Sequence, residues 1–198
     1  MPIASEVISR LSKEYGKNVV RQGVEYEDPG RVQTGVFPFD LASGGGFPRG
    51  RISVIYGPES SLKTTMALLA IANEQKMYPH RACVFIDVEN SFDPEWASML
   101  GVNVKKIIHV LPDYAEQVVD MCEDFLEASD VSIVVVDSLA AMITIRESEK
   151  SAEGENPGVS GLVIGKLYRK TNNVIGRQSR EGHFPALILI NQIRYKIG

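Results

Sequence analysis

Val54-Ile55-Tyr56-Gly57-Pro58-Glu59-Ser60-Ser61-Leu62-Lys63-Thr64-Thr65 is the stretch whose reading decides the fold. An apolar strand runs into a glycine turn and then into the polar start of a helix. In such a P-loop the backbone N–H groups of the turn and first helical turn converge on phosphate oxygens, a lysine neutralises their charge and the next hydroxyl completes a Mg²⁺ shell. Lys63 and Thr64 fill those two roles, with Gly57 opening the turn and Pro58 to Thr65 lining it. The usual pattern, G-x-x-x-x-G-K-[ST], has its second glycine where this chain has Leu62. An ordinary strand-turn-helix obeys the same local grammar, so the rest of the chain has to decide.

Downstream, Met66 to Gln75 is apolar on most sides, as expected for a helix packed on a sheet. Ala82-Cys83-Val84-Phe85-Ile86 reads as a buried parallel strand that delivers Asp87-Val88-Glu89 to its carboxyl end, where the site groups of open α/β sheets collect. Asp93 caps a helix with Pro94 at its first position and Gly101 at its close. Ile107–Val110 is a strand, and 115–128 carries a helical stripe of Val118, Val119, Met121, Cys122, Phe125 and Leu126. Ser132-Ile133-Val134-Val135-Val136-Asp137-Ser138 is a β-branched strand ending in an acid and a hydroxyl. An acid there holds a Mg²⁺ shell in P-loop enzymes, and equally caps a following turn in proteins with no such site.

Upstream, residues 5–15 set Val7, Ile8, Leu11 and Tyr15 on one helical face, and a turn-rich linker runs to Gly30. About three turns of helix are not stable alone in water. Its apolar face therefore docks on its own domain or on a neighbouring subunit, and the flexible tether favours the neighbour. Residues 44–50 are a glycine-rich turn before strand Ile52–Tyr56. Strands alternating with helices predict a mostly parallel P-loop sheet, α/β, with helices on both faces and a short N-terminal helix in front. The expected division is 1–30, assembly helix and linker, and 31–198, core.

Composition narrows the class. The chain has 198 residues, 44% of them hydrophobic, enough for one sizeable core. Cys83 and Cys122 lie in apolar contexts without metal-ligand spacing, which predicts reduced thiols and a cytoplasmic setting. No run approaches the roughly 18 apolar residues of a membrane span, so no membrane partner is expected. The net charge of −4 is unevenly spread. Residues 161–198 hold seven basic side chains and one acid, a net of +6, which leaves −10 on residues 1–160. A basic end on an acidic body is a focused anion-binding feature.

Thr34-Gly35, Gly57-Pro58-Glu59-Ser60-Ser61, Phe85-Ile86-Asp87 with Glu89, Asp93-Pro94, Val134-Val135-Val136-Asp137-Ser138-Leu139-Ala140-Ala141 and Ile190-Asn191-Gln192-Ile193-Arg194 stand in an order and spacing that resemble the bacterial RecA recombinase family. The resemblance covers residues 31–198 and, in place and character, the N-terminal helix. It implies a filament-forming, DNA-dependent ATPase that uses ATP and Mg²⁺, binds single-stranded DNA and pairs it with homologous duplex DNA. By that resemblance Lys63 contacts the phosphates, Thr64 and Asp137 hold the metal, and Glu89 orients and activates the attacking water. Asp93 and Trp96 match adenine-contacting positions, Trp96 being otherwise a core aromatic. Gln192 matches a sensor of the γ-phosphate.

Residues 146–161 correspond to the family's first DNA loop. In the helix after them Val163, Leu167, Thr171, Val174 and Ile175 form one face, and Lys166, Lys170, Asn173 and Arg177 another. Arg169 matches a DNA-contacting arginine. Lys166, Lys170, Arg194 and Lys196 are the further DNA-binding residues expected, gripping phosphates without reading sequence; a solvated outer helix face has the same composition. Three departures stand out: Leu62, a longer basic stretch at 177–185 expected as a surface loop, and an end at Gly198 where the family's second DNA loop begins. The last implies a fragment or shortened reading frame. A nucleic-acid-translocating P-loop ATPase such as a replicative helicase, and a non-hydrolysing filament or interaction protein, are the alternatives; Asn191-Gln192-Ile193-Arg194 favours the recombinase over the helicase.

Overall fold

A computed structural model of the chain describes residues 2–16, 20, 23, 28–148 and 157–193. The elements are α1 (Ala4–Tyr15), β1 (Arg31–Val32), α2 (Phe37–Ala42), β2 (Phe47–Pro48), β3 (Ile52–Gly57), α3 (Lys63–Met77), β4 (Ala82–Asp87), α4 (Pro94–Met99), β5 (Ile107–Val110), α5 (Ala115–Glu127), β6 (Val131–Asp137), α6 (Ile145–Ser148), α7 (Pro157–Arg180) and β7 (Ala186–Gln192). β3, β7, β6, β4 and β5 form one sheet in that order, every neighbouring pair parallel. The expected α/β sheet with helices on both faces is what the chain adopts.

Alternation along the strands divides two cores. Val84, Ile86, Val134, Val136, Leu187 and Leu189 face α5 and α7, where Val118, Cys122, Leu126, Leu167 and Val174 cover them. Phe85, Ile133, Val135, Ile188 and Ile190 face the other way, onto Ala67, Leu68 and Ile71 of α3, Ala97 of α4, and Val32 and Phe47 of the small β1–β2 ribbon. Buried on both faces, the central strands carry no polar alternation, which is why their sequences read as unbroken apolar runs. β1–β2 is an addition to the expected plain turn at 44–50. Gly46 permits it, since a Cβ there would stand 2.2 Å from the Val32 carbonyl oxygen.

Register does the positioning. Gly57 lies opposite Gln192 and Asp87 opposite Asp137, and because Val136 pairs with Leu189, β3 and β7 run two residues past the ends of β4 and β6 and carry Gln192 over them. The opposite end of the layer is tied by a buried polar cluster that the sequence did not announce. Arg49 Nη2 donates to both carboxylate oxygens of Glu74 at 2.7 Å, and Ser132 Oγ donates to Glu74 Oε1 at 2.6 Å. The guanidinium carbon of Arg49 also lies 4.7 Å from the Tyr78 ring centre.

The C-terminal third corrects two expectations. The polar stretch 146–161 is not one loop: α6 takes Ile145–Ser148 and α7 starts at Pro157, a residue suited to a first helical position; residues 149–156 lie outside the described residues. The basic stretch 177–185 is not a long surface loop either. α7 continues through Arg180, and only 181–185 connect it to β7. Nothing breaks the helix before Gly182, whose φ of 83° is left-handed, while Gln178 Nε2 holds the last turn to the Glu127 carbonyl.

Candidate nucleotide site

The phosphate loop is shaped by two left-handed residues, Ser60 at φ 56° and Leu62 at φ 64°, ψ 22°. Alternating such torsions with ordinary ones turns successive N–H groups to one side, forming an anion nest. A Cβ at Gly57 would stand 2.8 Å from Ser61 Oγ, so any other residue there would push that hydroxyl from its place on the Pro58 carbonyl. Leu62 therefore keeps the torsions a glycine would have, while its side chain, 67% exposed, turns outward at the cleft mouth. Lys63 Nζ donates to the Pro58 carbonyl at 2.7 Å, and Ser61 Oγ to the same oxygen at 2.8 Å.

Three strand ends and the first turn of α3 bring the rest together. Thr64 Oγ1 at the start of α3 donates to Asp137 Oδ2 at 2.5 Å. Asp137 is 2% exposed, and burial pushes its carboxyl up to about 6; the negative charges of Glu89 and Asp87 add to this, while the Thr64 hydrogen bond and Lys63 oppose it. Glu89 Oε1 accepts from Gln192 Nε2 at 2.7 Å and from Ser138 Oγ. The Val88 and Glu89 N–H groups donate to the Asp137 carbonyl at 2.7 and 3.2 Å, holding the loop after β4 against the end of β6.

Asp87, two positions before Glu89, has a different task. Buried, it accepts from the Ser91 and Phe92 N–H groups at 3.1 and 3.0 Å and lies 3.2 Å from His109 Nε2, so it braces the loop between β4 and α4. Asp93 Oδ1 caps α4 by accepting from the Glu95 and Trp96 N–H groups. Trp96, 41% exposed, donates from Nε1 to Thr65 Oγ1 at 3.4 Å.

These groups line an open cleft of about 540 Å³, walled by Glu59, Ser60, Ser61, Leu62, Lys63, Thr64, Thr65, Glu89, Trp96, Asp137 and Gln192. The volume is within the range of small-molecule sites. Gly57, Pro58 and Asp93 are not among the lining residues; Pro58 contributes the carbonyl that holds Lys63, and Asp93 the cap of the helix that carries Trp96. Thr64 and Asp137 supply hard oxygen donors of the kind Mg²⁺ takes, and the burial of Asp137 without a cation raises its proton affinity, which a metal would relieve. The donor set fits the metal.

The expected DNA residues are not equivalent. Lys166 and Arg169 are exposed on α7. Lys170 instead pairs with Asp120 at 3.1 Å and with Glu123, and Arg177 pairs with Glu127, all on α5. The basic stripe is thus partly an intramolecular seam, because its acidic counterpart lies on a helix far away in sequence. Arg194 and Lys196 lie outside the described residues. Sequence reasoning passed over Ser138 and His109 as partners of the site; the hydroxyl after the strand-end acid was the available signal for the first, and nothing local marked the second. Among the described residues no helix is long and apolar enough to cross a membrane.

The chain matches the family model described as the RecA N-terminal domain over residues 3–198. It is 37% identical over 195 residues to Protein RecA of Leptospira biflexa, covering 96% of this chain and 49% of that protein. Against Protein RecA of Roseiflexus sp. (strain RS-1) it is 37% identical, covering 96% and 53%, and against Protein RecA of Aquifex pyrophilus 38%, covering 96% and 54%. The chain spans about half the length of the curated relatives it matches.

Proposed function

The chain belongs to the RecA family, and from that premise we propose that it is an ATPase core of a recombinase, coupling Mg²⁺-ATP hydrolysis to single-stranded DNA in homologous pairing and strand exchange. The observation that carries this reading is the convergence of Thr64–Asp137 and Glu89–Gln192 on one cleft beside the phosphate loop. Loop N–H groups and Lys63 would hold the phosphates, the lysine exchanging the Pro58 carbonyl for a stronger, charged acceptor. Thr64 and Asp137 would hold Mg²⁺, which when bound draws charge from the phosphate oxygens. Glu89 would orient the attacking water and take its proton, and Gln192 would exchange Glu89 for a γ-phosphate oxygen. Trp96 at the cleft's rim offers an aromatic face for the base.

Residues 31–198 are proposed as this core and residues 1–30 as its assembly arm. α1 has no buried residue, and its apolar face would dock on a neighbouring copy head to tail, a contact that propagates into a filament. Lys166 and Arg169 would contribute to the DNA-facing surface. Phosphate release with and without single-stranded DNA tests the reading: turnover stimulated by DNA and lost in Glu89→Gln supports it. Nucleotide binding without turnover in either condition supports the second reading, a non-hydrolysing filament or interaction protein, which the leucine in the phosphate loop favours.

A further inference from the structure

Two donors converge on a single oxygen of Glu89. Ser138 Oγ and Gln192 Nε2 both donate to Oε1, and Oε2 has no partner among the described residues. The two donors differ in what they can do next. Gln192 is half-buried at the end of β7 and lines the cleft, so an anionic ligand there competes with Glu89 for its amide. Ser138 is 0% exposed, follows Asp137 directly and has no other acceptor for its side chain among the described residues. The same strand end also holds the backbone of Glu89 through the Asp137 carbonyl. A glutamate side chain has three rotatable bonds. With the backbone anchored and Oε1 tied to a buried hydroxyl, its rotamer is set, and Oε2 is the oxygen left for the cleft.

We propose that Ser138 is the positioning residue of the water-activating carboxylate. Its hydroxyl holds Glu89 Oε1 when Gln192 turns to a bound γ-phosphate, so Oε2 keeps its place beside the attacking water. The inference rests on the ATP reading of the cleft.

The test uses the full chain and its only tryptophan, Trp96, as the fluorescent reporter of Mg²⁺-ATP and Mg²⁺-ADP binding, alongside phosphate release. In Ser138→Ala the ADP affinity stays within about twofold of wild type, the ATP-to-ADP affinity ratio changes about fivefold or more, and turnover falls about 10- to 100-fold, the loss of one charge-assisted hydrogen bond. Ser138→Thr, which keeps the donor, restores both readouts. In a Glu89→Ala background, which removes the acceptor, adding Ser138→Ala changes neither. Ser138→Cys, a weaker donor, replaces alanine if that chain fails to melt cooperatively. Equal shifts for ATP and ADP, or an effect that persists with Glu89→Ala, overturn the proposal while leaving the nucleotide site standing. If wild type binds neither nucleotide, the site reading falls and the inference with it. If wild type binds without turning over, the affinity ratio alone decides.

Discussion

Thr64 and Asp137, 73 positions apart, are joined by a 2.5 Å hydrogen bond that ties the first turn of α3 to the end of β6. The bond satisfies one carboxylate oxygen of a buried acid, but with Glu89 and Asp87 nearby neither it nor the charge of Lys63 offsets the burial of the carboxylate.

That residual charge makes stability depend on pH. The folded carboxyl titrates near 6 against an ordinary 3.8, so the folded state binds the extra proton. The penalty is absent below about pH 3.8, grows as pH rises through about 6 and then stays constant, reaching about 3 kcal/mol. In EDTA, Asp137→Asn is expected to be more stable than wild type at pH 7.5 and to lose that advantage toward pH 4, by thermal or urea denaturation. With Mg²⁺-ATP present the same variant should bind more weakly. A pH-independent difference between the two proteins sinks the assignment.

Leu62 holds a left-handed conformation that costs an L-residue on the order of 1–2 kcal/mol. Leu62→Gly relieves that strain at a smaller entropic cost in the unfolded chain, and opens the cleft mouth. Titration of Mg²⁺-ATP should give tighter binding in the glycine form, by roughly three- to tenfold, with stability unchanged within about 1 kcal/mol. Equal affinities would mean that the outward isobutyl group costs the site nothing.

Glu74→Ala leaves Arg49 charged and 7% exposed without its carboxylate. Removing one partner of such a pair costs about 3–5 kcal/mol, to be read as a shifted urea midpoint. The cluster is on the side of the layer away from the cleft, so nucleotide affinity of the folded fraction should be unaffected. A loss under about 1 kcal/mol would mean that water reaches Arg49 readily.

On α7, Arg169→Glu should weaken single-stranded DNA binding across all sequences and flatten its salt dependence. Lys170→Gln should do less to DNA binding, since its charge already meets Asp120 and Glu123. Filter binding at several salt concentrations separates the two; equal losses would show that the α5 seam opens on DNA.

α1 buries none of its residues, so deleting residues 1–20 should leave the melting of the core intact and abolish assembly. Sedimentation of the shortened chain at an unchanged rate excludes the helix as the contact.

Much of this was legible in the chain because its signals are local. A glycine at the end of an apolar strand, Lys63-Thr64 after it, acids at the ends of β4 and β6, Asp93-Pro94 before α4 and the stripe of α5 each act within a few residues, through torsion preference or one helical or strand period. Sequence alone therefore determined the central strands and the helices between them, the α/β class, and the loop and acids of the cleft, while the β1–β2 ribbon and the helical turns within 146–161 and 177–180 escaped it. Pairing across distance belonged to the tertiary structure. The insertion of β7 between β3 and β6 sets Gln192 on Glu89, and the β4–β6 register makes Asp87 a brace while Glu89 faces the cleft. The packing of α7 on α5 turned half of an apparently free basic stripe into ion pairs, and Arg49 met Glu74 only once α3 lay on the sheet. Charge and hydrogen-bonding capacity are properties of a residue, but whether they are spent inside the molecule depends on which distant group folding brings within about 3 Å, and no local pattern encodes that partner.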